Sequence, residues 1–156
     1  MTSATIPSVT DELDVLQALV PLQGARIIEA GCGAARLARD LIQRHGTADV
    51  TGIEVDDRQL AKNLLEPAER LRFERASAEA IPFGDASFDG AMMLKSLHHV
   101  PMALMDQALS EIARVVRPGG YFYCSLISGD ETGRDPEFCG EALVTGRATD
   151  EHFDRA

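Results

Sequence analysis

Three short groups of residues in this chain have the types and spacing that binding and catalysis require. Gly31-Cys32-Gly33 follows an apolar pair, Ile27-Ile28, and glycine lets a ligand lie directly on the main chain because it has no Cβ. Glu54 comes about 20 residues later, where a carboxylate can accept hydrogen bonds from two neighbouring hydroxyl groups. His98 and His99 follow a third apolar run, and an imidazole can take up or release a proton near neutral pH. The glycine turn and the acid together suit a nucleotide-type cofactor.

Apolar strands alternate with amphipathic helices in the order that would bring these groups to one edge of a sheet. The alternation predicts an α/β fold with a doubly wound, mainly parallel sheet, right-handed crossovers and helices on both faces. The expected strands are residues 26–30, 50–57, 71–76, 88–94 and 121–127, and the expected helices begin near Thr10, Ala34, Arg58 and Met102. Because ligands of such sheets bind beyond the carboxyl ends of the strands, we expect the site there.

Composition and charge restrict the class of protein. A chain of 156 residues suits one domain, and its net charge of −10 would repel nucleic acids and anionic membranes. No apolar run approaches the roughly 20 residues of a membrane span, and the first residues do not resemble a signal peptide, so we expect a cytoplasmic protein. Cys32, Cys124 and Cys139 form no C-x-x-C pair and are odd in number, so we expect neither a metal site nor a disulfide framework.

The glycine spacing separates two classes of cofactor. The dinucleotide fingerprint places a third glycine three residues after the second, where it permits close packing beside a pyrophosphate. Arg36 occupies that position here, and a long cation is a poor replacement for glycine. A nucleotide-linked oxidoreductase therefore stays open as an alternative that would have to bind NAD despite Arg36.

Residues 29–35, Glu-Ala-Gly-Cys-Gly-Ala-Ala, resemble the acidic-x-Gly-x-Gly-x-Gly signature of the class I S-adenosylmethionine-dependent methyltransferases, with Ala35 at the last glycine. Gly52-Ile53-Glu54, the segment 85–100 and the turn Arg117-Pro118-Gly119-Gly120 are similar to further blocks of that family, so the resemblance covers residues 25–127. It implies methyl transfer to a small-molecule acceptor. Acceptors with a base or amide nitrogen are disfavoured, because Leu94-Lys95-Ser96-Leu97 stands where their enzymes carry an Asn/Asp-Pro-Pro-aromatic motif.

The resemblance also implies which residues contact S-adenosylmethionine and its product S-adenosylhomocysteine. They are Glu29, Ala30, Gly31, Cys32, Gly33, Glu54, Val55, Ser77, Ala78, Leu94 and Lys95. Glu54 would accept from the ribose, while Asp56 or Asp57 is the alternative acid that would only cap a helix. Ser77 replaces an aspartate that usually accepts from the adenine amine, so recognition would depend partly on the main chain of Ala78. His99 is the candidate general base, needed if the acceptor must lose a proton.

The two ends of the chain carry expectations of their own. Residues 1–9 should be mobile, and residues 10–127 should form the core. The polar residues 128–156 contain no second pair of strands, so the last strands of the usual fold should be missing. Strand 121–127 would then be an apolar edge that the tail, a longer polypeptide or a second copy in a homodimer must cover. The changes at Ala35 and Ser77, with the short end, also suggest a non-catalytic scaffold as an alternative.

Overall fold

The structure, a computed structural model, describes residues 12–125. Five parallel strands in this part of the chain form one sheet in the order β3-β2-β1-β4-β5. The strands are β1 (Arg26–Ala30), β2 (Asp49–Glu54), β3 (Leu71–Arg75), β4 (Phe88–Leu94) and β5 (Val116–Ser125), and the helices are α1 (Glu12–Leu19), α2 (Arg36–His45), α3 (Asp57–Leu64) and α4 (Met105–Val115). Short 3-10 turns at Leu97–His99 and Met102–Leu104 connect β4 to α4. The chain builds outward from β1 on one side and then crosses to β4, which confirms the predicted doubly wound fold.

The sheet is buried on both faces, as the apolar runs of its central strands require. Ile27 and Ile28 are both fully buried, yet they belong to different apolar clusters because neighbouring side chains of a strand point to opposite faces. Leu16 of α1 and Leu41 of α2 pack in the cluster of Ile27, whereas Ile112 of α4 packs in the cluster of Ile28. The helices thus cover both faces and leave the carboxyl edge of the sheet open.

Two predicted boundaries differ from the structure. The helix expected from Met102 starts with a 3-10 turn and becomes α-helical at Met105. The predicted turn at residues 117–120 lies within β5 and interrupts its pairing, since β5 begins at Val116 opposite Phe88 and resumes pairing at Tyr121 opposite Gly90. Such an interruption depends on the register of the partner strand, which local sequence does not report.

β5 lies at the edge of the sheet, and within the described part of the chain it pairs with β4 alone. The predictions for residues 1–9 and 128–156 lie outside the described residues, as do Leu126 and Ile127 of the expected edge strand. Pairing of a second copy along β5 therefore stays a prediction. None of the helices between residues 12 and 125 is long and apolar enough to span a bilayer.

Candidate cofactor-binding site

A cavity of about 780 Å³ opens at the carboxyl edge of the sheet. Its volume lies in the range of small-molecule sites, about 300–1,000 Å³. The predicted residues that line it are Gly31, Cys32, Gly33, Glu54, Val55, Ser77, Ala78, Leu94, Lys95 and His99. They come from the ends of β1, β2, β3 and β4, which are far apart in sequence and adjacent in the sheet. The structure therefore brings together the residues that sequence analysis drew from separate motifs.

The glycine turn after β1 is fixed by main-chain hydrogen bonds to β2. The N–H groups of Gly31 and Cys32 both donate to the carbonyl of Ile53, at 2.9 and 3.1 Å. Gly31 has φ +68°, and a Cβ there would stand 2.7 Å from Cβ of Ser96. A side chain at position 31 would therefore be strained and would collide with the segment that follows β4. Ala35, at the last glycine of the signature, also takes a left-handed conformation, with φ 55°.

Glu54 ends β2 with its carboxylate held by three main-chain N–H groups. Its Oε2 accepts from Gly33 at 2.8 Å, and its Oε1 accepts from Val55 at 2.9 Å and from Asp56 at 3.0 Å. A carboxylate offers about four acceptor positions, so Oε2 can still accept from a ligand hydroxyl. Asp56 instead caps α3, its Oδ1 accepting from the N–H of Arg58 at 2.8 Å. Asp56 also lines the cavity, but it has the capping role that was its alternative, whereas the carboxylate of Glu54 is not used as a helix cap.

Cys32 packs beneath the glycine turn and is 6% exposed. Burial, together with the smaller effect of the nearby carboxylates of Glu29 and Glu54, raises the pKa of its thiol to about 12. The thiol therefore stays protonated at neutral pH and is a packing group rather than a nucleophile. Gly52 of β2 makes room for it, since a Cβ at position 52 would lie 2.8 Å from the Cys32 sulfur.

The adenine side predicted for this cavity contains Ser77 and Ala78. The Ser77 hydroxyl has no hydrogen bond to another residue of the described chain, whereas its carbonyl accepts from the N–H of Ala80 at 3.2 Å. Gln107 of α4 donates to the carbonyl of Glu79 at 2.9 Å and so holds this loop against the helix. The hydroxyl is thus free to contact a ligand, on a loop whose main chain is anchored.

The predicted methionine side lies where β4 ends. Lys95 adopts φ 54°, a left-handed conformation that is strained for a lysine, and its N–H donates to the carbonyl of Ser125 at 2.9 Å. His99 lines the cavity from the following 3-10 turn and is exposed. Its ring centroid lies 4.0 Å from that of His98, which does not line the cavity. Of the two histidines, His99 is the one with access to a bound molecule.

Glu29 and Ala30, which were predicted to contact the cofactor, do not line this cavity. Ala30 is fully buried and its carbonyl accepts from the Ser96 hydroxyl at 2.8 Å. Glu29 is 4% exposed and borders a second cavity of about 430 Å³, whose wall shares Cys32, Leu94 and Lys95 with the first. Its predicted cofactor contact would have to be made through that neighbouring space.

Several residues of the wall had no predicted contact with a ligand, among them Gln59, Val100 and Pro101. Met93 and Ser96 also line it and belong to the end of β4 and the segment after it, where the site was expected. Gln59 lies on the first turn of α3 and follows Glu54 closely in sequence, which was the available signal. The others are apolar or small, and such residues are indistinguishable from core residues in a single sequence.

Comparison with known proteins identifies relatives of this chain. A family model described as a methyltransferase domain matches residues 28–124. O-methyltransferase cnsE of Penicillium expansum is 39% identical over 136 residues, which are 83% of this chain and 45% of that protein. The 27-O-demethylrifamycin SV methyltransferase of Amycolatopsis mediterranei is 35% identical over 125 residues, 76% of this chain and 45% of that protein. The chain spans about half the length of the curated relatives it matches.

Solved structures share the fold. An S-adenosylmethionine-dependent methyltransferase from Mesorhizobium loti is 28% identical, with a TM-score of 0.65 over 74% of this chain and 53% of that one. A structure titled as the [4+2]-cyclase SpnF is also 28% identical, with a TM-score of 0.64 over 81% of this chain and 50% of that one. A SAM-dependent methyltransferase from Aquifex aeolicus has a TM-score of 0.71 over 81% of this chain and 69% of that one; at 20% identity it shows the fold alone.

Proposed function

This chain belongs to the methyltransferase domain family, and we propose that its cavity binds S-adenosylmethionine for methyl transfer to a small-molecule acceptor. The observation that carries the proposal is Glu54, whose carboxylate three main-chain N–H groups hold at the wall of the cavity. Glu54 would accept from the ribose hydroxyls of the cofactor. A Cβ at Gly33 would meet no protein atom within 4 Å, so its absence would let the ligand approach the main chain of the turn there.

The remaining wall suits the other parts of that cofactor. Val55 exposes 57% of its surface beside Glu54, so its apolar side chain is available to flank the adenine. The free Ser77 hydroxyl and the main chain of Ala78 would contact the edge of the base. Leu94 and Lys95 would contact the methionine part. The net charge of −10 does not oppose a ligand that carries a sulfonium and an ammonium group.

Methyl transfer from a sulfonium depends more on alignment of the acceptor and exclusion of water than on charged groups that stabilise the transition state. Bound there, S-adenosylmethionine would supply a methyl group on a cationic sulfur. The acceptor atom would bond to this carbon as the carbon–sulfur bond breaks and its electron pair stays on sulfur. Because positive charge disperses in this step, the protein contributes chiefly by orienting the acceptor and excluding water. Met93, Val100 and Pro101 supply apolar wall near the end of β4 for this purpose.

We propose an oxygen acceptor, because the curated relatives cited above bear names of O-methyltransferases or of a methyltransferase acting on an O-demethyl compound. A hydroxyl acceptor must lose its proton as the new carbon–oxygen bond forms. His99 is the general base of the proposal, since its exposed ring lines the cavity and can pass the proton to water.

Binding of the cofactor tests the proposal, with variants that separate Glu54 from other acids. S-adenosylmethionine and S-adenosylhomocysteine are titrated calorimetrically into the wild type, Glu54→Ala and Glu74→Ala, an exposed acid of β3 that does not line the cavity. We expect micromolar affinity, about 8 kcal/mol, for the wild type and Glu74→Ala, and its loss in Glu54→Ala. A folded wild type that binds neither compound would contradict the proposal.

One solved structure of the same fold is titled as a [4+2]-cyclase, so the second candidate is a reaction other than methyl transfer in the same cavity. Fold alone does not separate the two activities. Incubation with methyl-labelled S-adenosylmethionine and a panel of phenols and carboxylic acids distinguishes them. Transfer of label to any acceptor supports the methyltransferase, and tight cofactor binding with no labelled product over the panel supports the second candidate.

A further inference from the structure

Asn63 lies on the inner side of α3 and is 4% exposed beneath the glycine turn. Its Nδ2 donates to the carbonyl of Gly33 at 2.7 Å and lies 3.9 Å from the sulfur of Cys32. Gln59, one turn earlier, donates its Nε2 to Oδ1 of Asn63 at 3.0 Å. A main-chain carbonyl can only accept, so the contact with Gly33 fixes which end of the Asn63 amide faces the turn.

Gly33 is held on both sides of its Cα by side chains that come from elsewhere in the chain. Its N–H donates to Oε2 of Glu54 at 2.8 Å, and its carbonyl accepts from Asn63. No atom lies within 4 Å of the position that a Cβ of Gly33 would take, and its φ is +51°. Side-chain packing therefore does not fix this part of the turn, and hydrogen bonds do.

These contacts connect Glu54, α3 and the glycine turn in a closed circuit at one wall of the cavity. α3 starts directly after Glu54, with Asp56 capping its first turn, and Asn63 then returns from α3 to Gly33. Loss of the Asn63 amide would leave the Gly33 carbonyl with only the Cys32 thiol, a weak donor at 3.8 Å, and the Gly33–Ala34 peptide would be free to rotate. That peptide shares the Cα of Gly33 with the Cys32–Gly33 peptide, so the Gly33 N–H would shift from Oε2 of Glu54, the carboxylate oxygen with acceptor capacity to spare.

We propose that Asn63 is a positioning residue of the cofactor site, which keeps Gly33 on Glu54 and so keeps the Glu54 carboxylate aimed at the ribose. The inference rests on the proposed function, because that function assigns the ribose to Glu54. Asn63 itself does not line the cavity, so its effect on a ligand is transmitted through Gly33. Affinity for the ribose hydroxyls should therefore depend on a buried amide that no ligand atom touches.

The test uses Asn63→Ala and Asn63→Asp, with Thr47→Val as the matched control. Asn63→Asp keeps the size of the side chain and an oxygen that accepts from Gln59, yet it replaces the amide donor, so it tests the contact even where the alanine variant fails to fold. Thr47 is fully buried, its hydroxyl donates to the carbonyl of Leu41 at 2.6 Å, and it does not line the cavity. All three variants lose a buried hydrogen bond to a main-chain carbonyl and should lower the unfolding temperature.

The measurements are the calorimetric Kd values of S-adenosylhomocysteine and of its 2′-deoxy analogue, taken well below the unfolding temperatures. We expect both Asn63 variants to bind S-adenosylhomocysteine about tenfold more weakly and the analogue about threefold more weakly, because the analogue already lacks one ribose hydroxyl. Thr47→Val should stay within about twofold of wild type for both ligands.

Asn63 variants that bind S-adenosylhomocysteine as the wild type does would overturn the inference. An equal loss for both ligands would also overturn it, since Asn63 would then be a structural residue without a specific link to the ribose. A folded wild type that binds neither ligand would contradict the proposed function itself, an outcome that is distinct from the other two.

Discussion

The packing of Cys32 against β2 leads to a prediction that a double-mutant cycle at positions 32 and 52 can test. A Cβ at position 52 would lie 2.8 Å from the Cys32 sulfur, 3.1 Å from its Cβ and 3.2 Å from Cδ1 of Phe73. Gly52→Ala therefore overpacks a buried site and should cost about 1–3 kcal/mol of unfolding free energy. Cys32→Ala removes a buried sulfur and should cost about 1 kcal/mol.

In the double variant the new methyl group at position 52 enters the space that the sulfur vacates. The 2.8 Å collision disappears, whereas the contacts with the Cβ of residue 32 and with Phe73 remain tight. We therefore expect the double variant to be more stable than the sum of the two single changes implies, by about 1–2 kcal/mol.

Urea denaturation of the wild type, both single variants and the double variant measures this coupling. Gly84→Ala serves as the control, because a Cβ there would find its nearest neighbour, the Ser87 hydroxyl, at an ordinary 3.7 Å. Its effect should stay within about 0.5 kcal/mol. Single changes that add to within about 0.5 kcal/mol would refute the argument that the sulfur is what restricts position 52 to glycine.

Three further predictions concern the site and the opposite edge of the sheet. Ser77→Asp should tighten S-adenosylmethionine by a few-fold in calorimetry, since a carboxylate is a stronger acceptor than a hydroxyl; unchanged or weaker binding would place the adenine amine elsewhere. His99→Asn should lower kcat by about 100-fold or more while Kd for S-adenosylhomocysteine stays within about twofold, and an unaffected kcat would remove His99 from the mechanism. Burial raises the pKa of Asp89, but hydrogen bonds from the main chain of Arg26 and the guanidinium of Arg117 outweigh it and hold the pKa below its ordinary value. Stability from Asp89 is therefore present above the unfolded-state pKa of about 3.9 and is lost as pH falls through the lower folded value. The unfolding temperature of the wild type should fall more steeply below about pH 4 than that of Asp89→Asn, and parallel curves would contradict this assignment.

The parts of the fold that could be predicted are those that a single local pattern in the sequence determines. β4 has the predicted bounds, 88–94, because a parallel strand buried on both faces appears in the sequence as a continuous apolar run. The predicted site residues from Gly31 to His99 largely meet at one cavity because parallel strands end at the same edge. Topology alone therefore places most of the wall.

The features that were not predicted depend on partners distant in sequence. Residues 117–120 interrupt the register inside a strand that pairs with β4 on both sides of them, whereas in isolation the same residues are typical of a turn. Asn63 contacts Gly33, 30 residues away, and nothing local distinguishes it from the other polar residues of α3. Glu29 belongs to the motif but borders the second cavity, since alternate residues of β1 point to opposite faces.

The most direct test of the account is where S-adenosylmethionine contacts the protein. Amide ¹H–¹⁵N spectra of the labelled chain, recorded with and without S-adenosylmethionine, report this residue by residue. The account predicts the largest shifts at Gly31, Gly33, Val55 and Ala78, around the cavity at the carboxyl edge of the sheet. Spectra that do not change, or shifts confined to the opposite edge around Gly119 and the cavity of about 340 Å³ there, would contradict it.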